Sequence, residues 1–173
     1  FGDTDLGRGR HLMVEFVSVN PTGPLHVGHA RGAVLGSALA SIMAAAGYDI
    51  SREYYINDTG TQMDAFARTI YAHYLRAQGR DAEIPPDGYM GSYMVDLARE
   101  VVEREKDRFL QMPEDEAVSA LREIGLKEML RSIREDLERI RVEFDVWFSE
   151  KSLYDSGDYE AAMDILRQSG YLA

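Results

Sequence analysis

Residues 15–31, EFVSVNPTGPLHVGHAR, decide how this chain folds. Leu12 to Val19 (LMVEFVSV) reads as a strand, rich in β-branched and aromatic residues and ended by Asn20-Pro21. Pro21 and Pro24 keep the connection extended and Gly23 permits a tight turn, so His26-Val27-Gly28-His29 falls at the start of the next helix. A strand that feeds a helix amino terminus gathers unpaired backbone N–H groups and the positive end of a helix dipole. Anionic ligands are favoured there.

The helix is expected from Gly28 to Gly47, with Val34, Leu35, Leu39, Ile42 and Met43 at helical spacing and Gly47 as its cap. Gly32 and Gly36, one turn apart, point to close packing on a sheet. Residues 50–56 (ISREYYI) make a second strand, Asn57-Asp58-Thr59-Gly60 a turn, and Gln62 to Gln78 a second helix. Strand, helix, strand, helix argues for a parallel sheet with crossover helices, the first half of a doubly wound α/β fold. Two strands are too few for such a sheet.

Gly79 to Gly88 (GRDAEIPPDG) reads as a linker. Beyond it the pattern is helical. Met90, Met94, Leu97 and Val101 mark one helix, broken at Pro113. Glu114 to Val142 forms another, with an apolar stripe of Val118, Leu121, Leu126, Leu130, Ile133, Leu137 and Ile140. Phe144 to Phe148 is a short strand candidate and Tyr154 to Ser169 a last helix.

Composition narrows the function. The formal net charge of −11 over 173 residues argues against a surface built mainly to hold nucleic acid. There is no Cys, and His11, His26, His29 and His73 are too dispersed for a closed zinc site. No run approaches the length of a membrane span, which suits a cytoplasmic protein with no membrane partner.

Two imidazoles three residues apart on a first helical turn point the same way, and both can donate to phosphate oxygens that gain charge in a transition state. Gly28 between them leaves room for a flat purine base. A bare His-x-x-His at a helix start is more often a cap. The preceding strand, the Pro-Thr-Gly-Pro connection and the Ala-rich helix shift the reading toward phosphate binding.

This region resembles the class I aminoacyl-tRNA synthetases, whose first signature is a His-x-Gly-His element at this point of a Rossmann-like fold. Similarity to the arginyl-tRNA synthetases is closer still, through VEFVSVNPTGPLHVGHARGAVLG and REYYINDTGTQ and, less specifically, through FDVWFSE. The resemblance implies an arginine–tRNA ligase that uses ATP with Mg²⁺, L-arginine and tRNA(Arg), works as a monomer, and forms arginyl-adenylate. It also implies roles: His26 and His29 on the ATP phosphates, Gly28 beneath the adenine, Glu15 on the arginine guanidinium and Asn20 on the α-amino group. Ser18 lies between Glu15 and Asn20 on the same face, and His29 borders the arginine. Asp58, Gly60 and Gln62 belong to the site or its supporting turn.

The family's second, Lys-containing signature has no counterpart among the isolated Lys106, Lys127 and Lys151. The chain is therefore expected to be a fragment. Residues 1–79 would be the N-terminal half of the Rossmann-like ATP- and arginine-binding domain. Residues 80–173 would be a mainly helical connective insertion, cut before it returns to the sheet. Two other readings are a non-catalytic nucleotide-binding module and a His-x-Gly-His nucleotidylyltransferase. The residues around the signature favour the synthetase over the nucleotidylyltransferase, and the intact His26 and His29 speak against the module.

Overall fold

The computed structural model describes residues 2–172, so the outermost residues of both expected divisions, Phe1 and Ala173, lie outside the described residues. The elements run β1 (His11–Glu15), α1 (Val27–Ala45), β2 (Asp49–Ile56), α2 (Gly60–Ala77), α3 (Ser92–Glu105), a 3₁₀ turn at Arg108–Leu110, α4 (Glu114–Arg139), β3 (Val146–Ser149), α5 (Lys151–Ser156) and α6 (Asp158–Gln168). The sheet has three strands in the order β1-β2-β3, all parallel. Parallel neighbours require a crossover, which α1 supplies between β1 and β2. The mixed α/β class with a parallel sheet is therefore as expected.

By contacts the chain divides into a sheet unit (residues 1–20, 25–58 and 136–173) and a helical unit (21–24 and 59–135). This division differs from a cut at residue 80: α2 groups with the helices after it, and the last residues group with the sheet. The chain does return to the sheet. Tyr54 of β2 pairs with Trp147 of β3.

Within the sheet unit, β1 is shorter than its composition suggests. It stops at Glu15, because Val17 (φ 67) and Ser18 (φ 43) turn into the left-handed region and leave the ladder. In α1 the buried face is made of small residues. Ala33 and Ala40 are fully buried, and Gly36 abuts the Phe16 ring, whereas a side chain at Gly32 would meet nothing. The larger Val34, Leu35, Leu39 and Ile42 are each more than half exposed in this chain. Small residues let a helix approach a sheet closely, and that requirement overrode the apolar stripe. An aromatic cluster continues the contact: Phe16 lies 4.5 Å from Phe144, which meets Tyr54 edge-on, and Tyr54 stacks on Trp147 at 4.4 Å. The expected single last helix is two, because Gly157 (φ 81) takes the left-handed conformation that ends α5.

The helical unit buries Met63, Phe66, Ile70, Tyr74, Met94, Leu97, Val101, Phe109, Ala117 and Leu121. Met90, read as helical, precedes the Gly91 cap of α3 and is exposed. The inward row of α4 in this unit runs at four-residue intervals through Ala117, Leu121, Gly125, Met129 and Ile133. Val118, Leu126 and Leu130 flank this row and are only partly buried, and at its centre Phe66 and Ile70 of α2 lie too close to Gly125 for any larger residue. Glu128, almost buried, is held by Arg104 and Arg131. Burial alone would raise its carboxyl, but the two guanidinium bonds outweigh that and hold it below its ordinary value. The Pro21–Pro24 segment is fixed by Tyr93, whose hydroxyl donates to the Thr22 carbonyl at 2.7 Å and whose phenol burial pushes up to about 12.

Gly36→Ala tests the small-residue face of α1. The added methyl would collide with the Phe16 ring, and overpacking costs about 1–3 kcal/mol, against about 1 kcal/mol gained in helix propensity. Urea denaturation should show a lowered midpoint; an unchanged or raised one would mean the Phe16 ring moves aside freely.

Candidate active site

The carboxyl end of β1 carries Glu15, exposed and last in the strand, directly beside Glu53 in the parallel register. Register partners on adjacent strands share a face, so two carboxylates stand side by side. Like charges so placed repel, and a cation between them removes the repulsion. Glu53 was not singled out from sequence, since strand register is not written in residues 15 or 53 alone. The only sequence signal was its place near the end of the second expected strand.

Past Glu15 the backbone turns sharply. The Phe16 N–H still reaches the Glu53 carbonyl at 3.3 Å, and then the ladder is replaced by side-chain bonds. The Tyr55 N–H donates to Ser18 Oγ at 3.1 Å, and the Tyr54 hydroxyl meets both the N–H and the carbonyl of Val19. Each non-glycine residue in the left-handed region costs about 1–3 kcal/mol and persists only where its surroundings over-determine it. Ser18 thus accepts from β2 with its oxygen and keeps its hydroxyl proton to donate. Asn20 follows directly.

The two histidines sit where the dipole argument placed them, in a geometry that residue spacing did not disclose. His26 is the N-cap of α1, with its Nδ1 accepting the Gly28 N–H at 3.1 Å. His29, at the third helical position, accepts the His26 N–H on its own Nδ1 at 3.3 Å. This is a capping box built from imidazoles, and it satisfies two otherwise unpaired backbone donors. The cap and the phosphate-binding reading are therefore not alternatives. A ring that accepts on Nδ1 while neutral must carry its proton on Nε2, so the cap fixes both imidazoles as Nε2–H donors. The rings stack with centroids 3.5 Å apart. Gly28 suits this arrangement, because a Cβ there would lie 2.9 Å from His26 Cε1 and push the capping ring aside.

Asp58 is buried and bound within the sheet unit. It accepts from Ser149 Oγ at 2.6 Å and from the Lys151 N–H at 2.9 Å, tying the end of β2 to the start of α5. Gly60 (φ 78) and Gln62 open α2 in the helical unit. The structure thus groups His26, Gly28 and His29 by direct bonds and sets Glu15, Ser18 and Asn20 along the end of β1. Asp58 serves a corner of the sheet.

A parallel sheet whose first strand delivers such a helix terminus is the pattern of one half of a doubly wound α/β domain, the kind that holds nucleotides at the carboxyl ends of its strands. Residues 2–172 match the family described as tRNA synthetases class I (R), catalytic domain, and the chain belongs to that family. An arginine–tRNA ligase of Dehalococcoides mccartyi is 54% identical over 173 residues, covering 100% of this chain and 31% of the relative. One from Geobacillus kaustophilus is 46% identical over 172 residues, 99% of this chain and 31% of the relative. Among solved structures, an arginyl-tRNA synthetase of Thermus thermophilus has a TM-score of 0.60 at 30% identity, over 92% of this chain and 26% of that one. A structure from Campylobacter jejuni assigned to the same enzymes has a TM-score of 0.82 at 34% identity, over 97% and 36%. The chain spans about a third of the length of the curated relatives it matches. The resemblance read from residues 14–36 and 52–62 is borne out.

His29 titrates below its ordinary value of 6.5, first because burial disfavours the imidazolium and then because the His26 charge opposes it. The sign follows: the unfolded chain binds more protons than the folded one as pH falls through 6.5. Folding stability from this group is full above 6.5 and declines as pH falls through the lowered folded value. NMR titration should find His29 below 6.5, shifted upward in His26→Asn, which removes the neighbouring charge while keeping a good N-cap residue. No upward shift in that variant would remove His26 as a cause.

Proposed function

We propose that the protein carrying this chain is an arginine–tRNA ligase: it activates L-arginine with ATP to arginyl-adenylate, releases pyrophosphate, and transfers the arginyl group to tRNA(Arg). The observation that carries this reading is the imidazole capping box, which presents two preset Nε2–H donors at the amino end of α1. Donors held in place by the backbone need no reorganisation as negative charge grows on the phosphate oxygens. His26 and His29 would bind and stabilise the ATP phosphates, Gly28 would lie beneath the adenine, and His29 would border the arginine.

Glu15, with Glu53 beside it, supplies the negative charge that a planar guanidinium requires. Asn20, on the turn after β1, would hold the α-amino group, and Ser18 beside it would contact the arginine. Gly60 and Gln62 would contribute at the start of α2, and Asp58 would support the end of β2. Among the described residues no three His, Asp or Glu side chains gather to hold a metal, so Mg²⁺ would arrive on the nucleotide's own phosphates. No helix among the described residues is long and apolar enough to cross a membrane, and we place the enzyme's work in the cytoplasm, as a monomer.

Arginine-dependent ATP–pyrophosphate exchange by the full-length protein, with and without tRNA, tests this. Exchange should occur with arginine and no other amino acid. His29→Ala should lower the exchange rate by about 10²–10³, the cost of removing one preset transition-state donor. Glu15→Ala should raise the KM for arginine and leave that for ATP unchanged. Absence of exchange with every amino acid, tRNA included, would leave a nucleotide-binding relative without this chemistry.

A further inference from the structure

Between Glu15 and Asn20 the chain holds two consecutive non-glycine residues in the left-handed region, one of them the β-branched Val17. A β-branched side chain is the least suited to that conformation, so neighbouring groups must hold the turn. Ser18 Oγ supplies one bond, to the Tyr55 N–H. The other two come from a single hydroxyl. Tyr54 Oη accepts the Val19 N–H at 3.1 Å and donates to the Val19 carbonyl at 3.0 Å, closing a two-bond clamp on the residue before Asn20.

Tyr54 is placed for this task by its own packing. Its ring is fully buried, stacked on Trp147 of β3 and edge-on to Phe144, so the hydroxyl has little freedom to move. Burial pushes the phenol up to about 12, with the Val19 bond opposing, so the hydroxyl keeps the proton that it donates. Tyrosine is the residue that both fills this aromatic stack and offers one donor and one acceptor at its tip.

We propose that Tyr54 is a positioning residue for amino-acid selection: its hydroxyl maintains the strained Val17–Val19 turn and thereby sets Asn20 for the α-amino group of the substrate, with Ser18 beside it. This rests on the roles given above to Ser18 and Asn20. Tyr54 itself touches neither substrate. Removing its hydroxyl lets the turn relax toward ordinary extended backbone, which moves Ser18 and Asn20 while leaving the histidine cap at residues 26–29 intact.

Tyr54→Phe in the full-length protein keeps the ring and deletes both bonds. In the exchange assay it should raise the KM for arginine about tenfold, the scale of one or two neutral hydrogen bonds, with the KM for ATP unchanged. The Val19 amide should also exchange its hydrogen faster. Trp147→Phe is the companion variant: it disturbs the stack but leaves the hydroxyl and both of its bonds, so it should lower Tm and raise the KM for arginine clearly less than Tyr54→Phe does. An unchanged arginine KM in Tyr54→Phe, a parallel rise in both KM values, or an equal arginine effect in Trp147→Phe would overturn the inference while the ligase reading stands. A wild-type protein that gives no arginine-dependent exchange would overturn that reading and this inference together.

Discussion

The point at which the β1–β2 ladder stops governs the sheet unit. Parallel pairing runs from His11 opposite Asp49 to Glu15 opposite Glu53, and after one more backbone bond Val17 and Ser18 leave the strand. Had the strand continued to Val19, its side chains would have alternated faces through Asn20 and the connection to α1 would have begun elsewhere. Side chains take over where ladder bonds end, with Ser18 on Tyr55 and Tyr54 on Val19, so that few backbone groups are left without a partner. The strain of the turn, the aromatic stack beneath it and the placing of Asn20 are consequences of that one termination.

At the start of α1, stability and chemistry draw on the same atoms. A helix amino terminus needs acceptors for its first N–H groups, and Ser, Thr, Asp or Asn usually provide them. Here His26 and His29 provide them through Nδ1, leaving each Nε2 as a donor. A serine cap would stabilise the helix as well but present no N–H to a phosphate. The stack of the two rings adds a further restraint, since it disfavours two adjacent imidazolium charges and so favours the neutral tautomer that caps.

In each unit one glycine marks a place where closeness of approach, and not hydrophobicity, set the packing. Gly36 against Phe16 in the sheet unit and Gly125 against Phe66 and Ile70 in the helical unit mark places where the partner leaves no room for a side chain. Around them, small residues are buried and larger apolar ones on α1 are exposed. Hydropathy read along one helix ranks residues by size and apolar character. It carries no information on the distance to a neighbouring element.

The sequence by itself determined the alternation of strands and helices, the helix start at the His-x-Gly-His element, Gly47 as the end of α1 and the family to which the chain belongs, because these depend on local chemistry: proline geometry, glycine conformations and motif spacing. Only the tertiary structure decided that β1 ends at Glu15, that Glu53 stands beside it, that β3 closes the sheet next to β2 and that Tyr54 reaches Val19. Each of these joins residues about 35 to 95 positions apart, or depends on strain that only distant partners can hold in place. The histidines show both sides: their position was legible from spacing, and their service as cap and donor together emerged only from the ring orientations.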